Sequence, residues 1–203
     1  MSKYHIIVIE REYASGGREV GEKVAKKLQI PCYGQEILEM VAQRSGRSIQ
    51  ELEHLEESAT NSLLYSLYVM GKFPGDSTGL PRTDILSMEE SKIIHQLIQS
   101  GSCVLIGHCA GWVLRERSDV LRVFIHASHE YRQQRAMGCY HISPKEVDST
   151  LRRFDRRRAN YYRANTKRAW DDQSAYHMML SSSELGIDTC VDIIAQVCQR
   201  NDQ

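Results

Sequence analysis

Short apolar runs alternate along the chain with segments whose apolar positions recur at helical spacing. Tyr4–Ile9 is a β-branched run suited to a buried strand, and Ile30–Tyr33, Cys103–Gly107, Val120–Ala127 and Tyr176–Leu180 are four further strand candidates. Ser15-Gly16-Gly17 breaks the first run. From Arg18 onward, Val20, Val24 and Leu28 fall at i, i+4 and i+8, with Glu19–Lys23 and Glu22–Lys26 as supporting pairs, so a helix is predicted there. Helical patterns follow over about 35–45, 48–57, 60–70, 84–100, 128–138 and 144–163, with Cys109–Arg117 as a short helix and Ile187–Arg200 as the last. Gly71–Pro81, dense in Gly, Pro, Ser and Asp, predicts a mobile loop. Strands separated by helices predict a parallel α/β sheet wrapped on both faces. Ligands of such sheets sit at the carboxyl ends of the strands, so the residues just after each strand are the informative ones.

Composition sharpens this picture at one place. The chain has 203 residues, 41% hydrophobic and 26% charged, a globular mixture within the size of one domain. Lys+Arg and Asp+Glu are both 26, which excludes a protein held to nucleic acid or membrane by bulk charge. The balance is a cancellation: residues 132–168 carry 11 basic and 3 acidic groups, and nine of those cations are Arg. Arg favours forked binding of phosphate or carboxylate. RNA binding by this segment is the least favoured use of it. The six cysteines include no Cys-x-x-Cys pair, and the opening Met-Ser-Lys soon meets acidic residues, so no signal peptide is read. Reduced thiols and a cytoplasmic location are expected. The longest stretch without Lys, Arg, Asp or Glu, Ile93–Leu114, is interrupted by His95, Gln96, Gln99, Ser100-Gly101-Ser102 and His108. It reads as a helix end, a turn and a strand, not as a membrane span.

Two segments carry candidate chemistry. After the first strand, Glu10-Arg11-Glu12-Tyr13-Ala14-Ser15-Gly16-Gly17-Arg18-Glu19 opens directly into a helix. Small residues let consecutive N–H groups point at an anion, and the helix N-terminus adds its dipole. The phosphate-loop pattern G-x-x-x-x-G-K-[ST] is matched only in part. Gly17 takes its second Gly, Glu12 replaces the first, Arg18 stands for Lys, and Glu19 stands where a Mg²⁺-binding hydroxyl is expected. Phosphate loop and ordinary strand–helix turn are both open readings of this segment alone.

The second segment is the Arg-rich one. Ser143-Pro144-Lys145-Glu146 is a capping box that places a helix start, and Val147, Leu151 and Phe154 define that helix's inner stripe. A step of roughly 100° per residue puts Arg158 on the same stripe, flanked by Tyr161 and Tyr162. A buried Arg needs an anion, either an internal acid such as Asp155 or a bound phosphate. Arg132 and Arg135 share a face of the preceding helix. Trp112 and Trp170 are read as packing residues, Asp172 as a turn cap, and Tyr65, Tyr68 and Met70 as core or a contact between copies in a homo-oligomer.

The chain resembles the bacterial cytidylate-kinase-like proteins, P-loop relatives of the nucleoside monophosphate kinases. The likeness lies in Ser15-Gly16-Gly17-Arg18-Glu19-Val20-Gly21, Gly46, Glu56, Gly107–Leu114, Arg132–Arg135 and Asp155-x-x-Arg158-Ala159-x-Tyr161-Tyr162. It continues in Thr166, Trp170-x-Asp172, Tyr176-His177 and Ser182-Ser183-x-Leu185-Gly186-Ile187. It implies one P-loop kinase domain over 1–203: a three-layer α/β sandwich with a five-stranded parallel sheet. A helical acceptor-side part over about 34–92 and an Arg-rich lid over about 128–168 complete it. It implies ATP with Mg²⁺ as donor and a nucleoside monophosphate, CMP or dCMP by family name, as acceptor. A catalytically weak nucleotide-binding or regulatory protein of the same fold is the alternative.

Carried over by position, Ser15, Gly16, Gly17, Arg18 and Glu19 would hold the donor, and Arg18, Arg132, Arg135 and Arg158 would be catalytic. His108, Arg153, Arg156 and Tyr162 would bind the acceptor. Three positions depart from the family pattern. Gly34 stands where an acid is usual, His108 where Arg is usual, and Tyr176 where a base-reading Asp is usual.

Overall fold

A computed structural model describes residues 3–52 and 82–199. Five parallel strands, β1 (Ile6–Arg11), β2 (Cys32–Tyr33), β3 (Cys103–Ile106), β4 (Val120–His126) and β5 (Met178–Ser181), form one sheet in the order β2-β3-β1-β4-β5. The helices are α1 (Gly17–Leu28), α2 (Gln35–Ser45), α3 (Arg82–Leu97), α4 (Ala110–Val113), α5 (His129–Tyr140), α6 (Val147–Thr166), α7 (Ser182–Leu185) and α8 (Ile187–Gln199). The expected helix over 60–70, the loop Gly71–Pro81 and Tyr65, Tyr68 and Met70 lie outside the described residues. Of the 48–57 helix, residues 49–52 are described and helical.

Strand period 2 divides the core. Ile6 and Val8 of β1 face α2 and α3, packing with Ile37, Val41 and Ile94. Ile7 and Ile9 face α1 and α8, packing with Val20, Val24, Val191 and Ile194. The central strand is therefore apolar on both faces, as a covered parallel sheet requires. α1 lies close to the sheet because Gly21 has no side chain; a Cβ there would come within 2.8 Å of Ile106. Among the described residues no helix is long and apolar enough to cross a membrane.

Two boundaries differ from the sequence reading in ways that matter. β1 runs to Arg11, not Ile9, because Glu10 and Arg11 continue the ladder against Phe124 and Ile125 of β4. The charged pair at the end of an apolar run is thus still strand. The Arg-rich helix begins at Val147, three residues after Pro144. Ser143 Oγ lies 2.7 Å from Glu146 Oε2, and Ser143 O accepts from Glu146 and Val147, closing a turn ahead of the helix. The stripe prediction within α6 is met at Val147 and Leu151, both buried.

Candidate active site

The carboxyl ends of β1 and β3, the start of α1 and the inner face of α6 meet at a cleft of about 490 Å³. The turn between β1 and α1 joins Arg11 to Arg18, which both line the cleft, while residues 12–17 do not. Gly16 takes φ +80 as the residue before α1, a left-handed conformation that glycine adopts without strain. Ser15, fully buried, donates from Oγ to Glu12 O at 2.9 Å, and Ser182 Oγ reaches Ser15 O at 2.5 Å and His126 O at 3.2 Å. One serine at the start of α7, just after β5, thereby ties the Gly-rich turn to β4. Val20 N–H closes onto Gly16 O, leaving the first-turn N–H groups ahead of it without intrahelical partners.

Arg135 of α5 lies over that turn. Its Cζ is 3.5 Å from the position a Cβ on Gly16 would occupy, and its Nη2 pairs with Glu19 at 2.8 Å. Its Nε is buried with no hydrogen-bond partner among the described residues. Burial opposes ionisation of Glu19, but Arg135 and Lys23 (3.2 Å) outweigh it and hold the carboxyl below its usual range.

Arg11 was not foreseen, and its placement organises the cleft. Its side chain passes between two glycines. A Cβ on Gly17 would come within 2.3 Å of Arg11 Cβ, and one on Gly107 within 2.3 Å of Arg11 Nη1. Beside it, Arg158 donates from Nη1 to Arg11 O at 2.9 Å and sits 5.6 Å over the Tyr13 ring. Burial, then the like charge of Arg11, pushes the Arg158 pKa down. Among the described residues no carboxylate lies within ion-pair distance of Arg158. Asp155, the internal partner considered for it, is taken: its oxygens accept from Tyr13 N at 2.7 Å and from Arg132. Gly17→Ala should thus cost about 1–3 kcal/mol by overpacking the fixed stem of Arg11, read as a lower midpoint in denaturant melts; an unchanged midpoint would contradict this packing.

The remaining expected residues divide. Arg18, Arg158, His108 and Tyr162 line the cleft, and Arg157, which the sequence reading passed over, joins them. Arg18 does not fold back on the Gly-rich turn; it pairs with Glu22 at 2.8 Å, four residues on along the same helix face. Arg132 is not a cleft residue. It is 7% exposed, and its donors go to Tyr13 O at 2.8 Å, Glu12 at 3.0 Å and Asp155. Arg153 and Arg156 are exposed and stay outside the cleft, Arg153 lying 5.1 Å over the Phe154 ring. Each is displaced by the helical step that brings Arg157 and Arg158 inward. Tyr176 is turned away as well, donating to Trp170 O at 2.5 Å within an aromatic group with Phe124 and Trp170. Asp172 caps its turn, accepting from Ser174 N at 3.0 Å. Trp170 packs as read, and its Nε1 donates to the buried Glu10 at 3.2 Å.

The residues fit a polyphosphate better than they fit a metal ion. Arg135 Nε and the first turn of α1 offer donors to an anion, whereas Glu12, Glu19 and Asp155 each hold an arginine. Among the described residues no group of three His, Cys, Asp or Glu could hold a metal by itself.

The profile of the cytidylate kinase-like family matches residues 6–184. The chain belongs to the cytidylate kinase-like family. No curated protein matches the sequence. Solved structures share the fold. An uncharacterized protein from Eubacterium ventriosum superposes with a TM-score of 0.71 at 21% identity, covering 96% of this chain and 99% of the other. The shikimate kinase of Bacteroides thetaiotaomicron gives 0.54 at 11% identity over 96% and 98%. That of Acinetobacter baumannii, solved with shikimate, gives 0.50 at 12% over 97% and 93%. At these identities the likeness is one of fold, the kinase-like α/β sheet that the strand order already displays.

Proposed function

We propose that this cytidylate kinase-like protein transfers the terminal phosphoryl group of ATP to a nucleoside monophosphate, with CMP or dCMP as acceptor. The observation that carries the reading is Arg158: a desolvated guanidinium beside a second one, facing a cleft, with no carboxylate paired to it among the described residues. A half-buried, desolvated cation so placed calls for an anion. A second anion position lies across the Gly-rich turn, at Arg135 Nε and the N-terminus of α1. Two phosphate positions on either side of one turn are what in-line phosphoryl transfer between donor and acceptor requires.

In this reading the donor phosphates lie on the 15–19 turn beneath Arg135, and ATP brings Mg²⁺ with its phosphates, which supplies charge neutralisation at the donor. The acceptor phosphate lies between Arg11, Arg157 and Arg158. Catalysis is then positioning and neutralisation, since a phosphate acceptor needs no strong base. Residues 128–168 act as the lid, 34–92 as the acceptor side, and the chain works as one domain in the cytoplasm. A coupled assay of ADP release across CMP, dCMP, UMP, AMP and GMP should show its highest kcat/KM with CMP or dCMP. No ADP above the ATPase background with any of the five would overturn the reading. The Glu19–Arg135 pair, standing where a metal-binding hydroxyl is expected, favours a second reading: a nucleotide-binding protein with little turnover. It predicts a raised unfolding temperature with ATP in that same null assay.

A further inference from the structure

Two buried carboxylates reach the walls of the cleft, and they are satisfied differently. Glu90 of α3 is 1% exposed, and both its oxygens are paired: Oε1 lies 2.8 Å from His108 Nδ1, and Oε2 accepts from the Tyr161 hydroxyl of α6. That is how a structural carboxylate is kept out of water. Glu10 is 4% exposed and lines the cleft, where strand alternation carries the parity of Ile6 and Val8 to the carboxyl end of β1. Its Oε2 accepts from Trp170 Nε1 at 3.2 Å. Its Oε1 is beyond the reach of solvent and has no hydrogen-bond partner among the described residues. The donors nearby are committed elsewhere. Tyr176 gives its hydroxyl hydrogen to Trp170 O, and Arg158 Nη1 donates to Arg11 O. Arg11 Nη1 stands 3.8 Å from Oε2, longer than a hydrogen bond.

An unpaired buried acceptor costs stability, and this fold keeps one at the edge of a ligand cleft. The charges decide what it can take. Its own charge holds phosphate oxygens off, and those go to Arg11, Arg157 and Arg158 of the same cleft. What meets Oε1 is then a hydrogen-bearing group of the acceptor. Glu10 and Arg11 are successive residues whose charged ends lie 3.8 Å apart. A ligand whose phosphate meets Arg11 therefore brings to Glu10 the part next to its phosphate, the sugar, before its base. We infer that Glu10 is a specificity-determining residue that accepts a hydrogen bond from a sugar hydroxyl of the acceptor monophosphate. The last torsion of a glutamate is broad, so a small turn of the carboxyl presents Oε1 to the cleft. The inference rests on the acceptor reading of the cleft, and its tests separate the two.

Calorimetric titrations without ATP compare CMP with dCMP and 3′-deoxycytidine monophosphate, each of which lacks one of its sugar hydroxyls. Loss of the hydroxyl that Glu10 holds should weaken binding about 10- to 100-fold, the size of one hydrogen bond to a charged group. This comparison needs no variant to fold. In Glu10→Met the discrimination should vanish. In Glu10→Gln, which keeps the shape and an oxygen for Trp170, it should shrink to about 2- to 10-fold, the size of a neutral bond. Inorganic phosphate should bind the variants as tightly as the parent or more so, since a neighbouring negative charge is gone. A parent that binds CMP and both deoxy analogues equally overturns the inference, as does a Glu10→Met protein that still discriminates. Parallel loss of CMP and inorganic phosphate binding in both variants would make Glu10 a support of the phosphate site and sink it too. Selective binding of CMP without turnover removes the kinase reading and leaves Glu10 its role, whereas turnover with equal binding does the reverse. Absence of binding by every monophosphate removes both.

Discussion

Arg158→Met is expected to lower kcat/KM by about 10³-fold or more on the acceptor that the coupled assay selects, while the unfolding temperature holds level or rises. Methionine keeps most of the stem that packs against Tyr13 and removes the charge. In the parent, that charge is opposed by burial and by Arg11, and no carboxylate among the described residues pairs with it. Replacing a whole buried ion pair with apolar side chains of similar volume is often neutral or stabilising, by about 1–4 kcal/mol, and a desolvated, half-buried charge with no carboxylate at pairing distance has less Coulomb attraction to lose. The bond from Arg158 Nη1 to Arg11 O is lost, at about 1 kcal/mol, which sets the lower bound on the gain. Opposite signs for activity and stability identify a residue kept for its ligand. If calorimetry shows a large fall in stability with activity intact, Arg158 is a structural cation and the acceptor site lies elsewhere.

The layout of the sheet was legible because buried parallel strands are apolar on both faces, and a run such as Ile6–Ile9 has few other uses. Arg158 was legible for a related reason: helical phase carries a buried stripe forward from Val147 and Leu151, and an arginine on that stripe is conspicuous. Arg11 was not legible. Charged residues end an apolar run on paper, yet strand pairing with β4 continues beneath them, and the room for Arg11 comes from Gly17 and Gly107, ninety residues apart in sequence. Glu90 and His108 meet across an edge of the cleft with no local pattern to announce it. Tertiary pairing of polar groups leaves no period in a sequence, whereas burial of apolar ones does. The family resemblance covered Arg132 and Arg135 alike, but helix α5 gives them different neighbours.

That difference supplies the sharpest test of the lid. Arg132→Met is expected to destabilise the protein by about 3 kcal/mol, because its partners stay behind without their cation. Glu12 and Asp155 are each about a quarter exposed, 26% and 23% by side chain, so water recovers part of the loss and the lower end of the range for a broken buried pair applies. For a chain of this size that is roughly 6–12 °C of unfolding temperature. Tyr13 O also loses its donor, and Tyr13 stacks on Phe154 at 4.3 Å, so the turn before α1 should loosen with it. Activity should fall in step with the folded fraction and recover on cooling. Adding Asp155→Asn and Glu12→Gln to Arg132→Met should return part of the stability, since the orphaned charges are then gone. The same triple change cannot restore a lost phosphate contact. An Arg132→Met protein as stable as the parent but inactive would therefore place Arg132 with Arg158 among the ligand-facing residues and break the division drawn here between the two arginines.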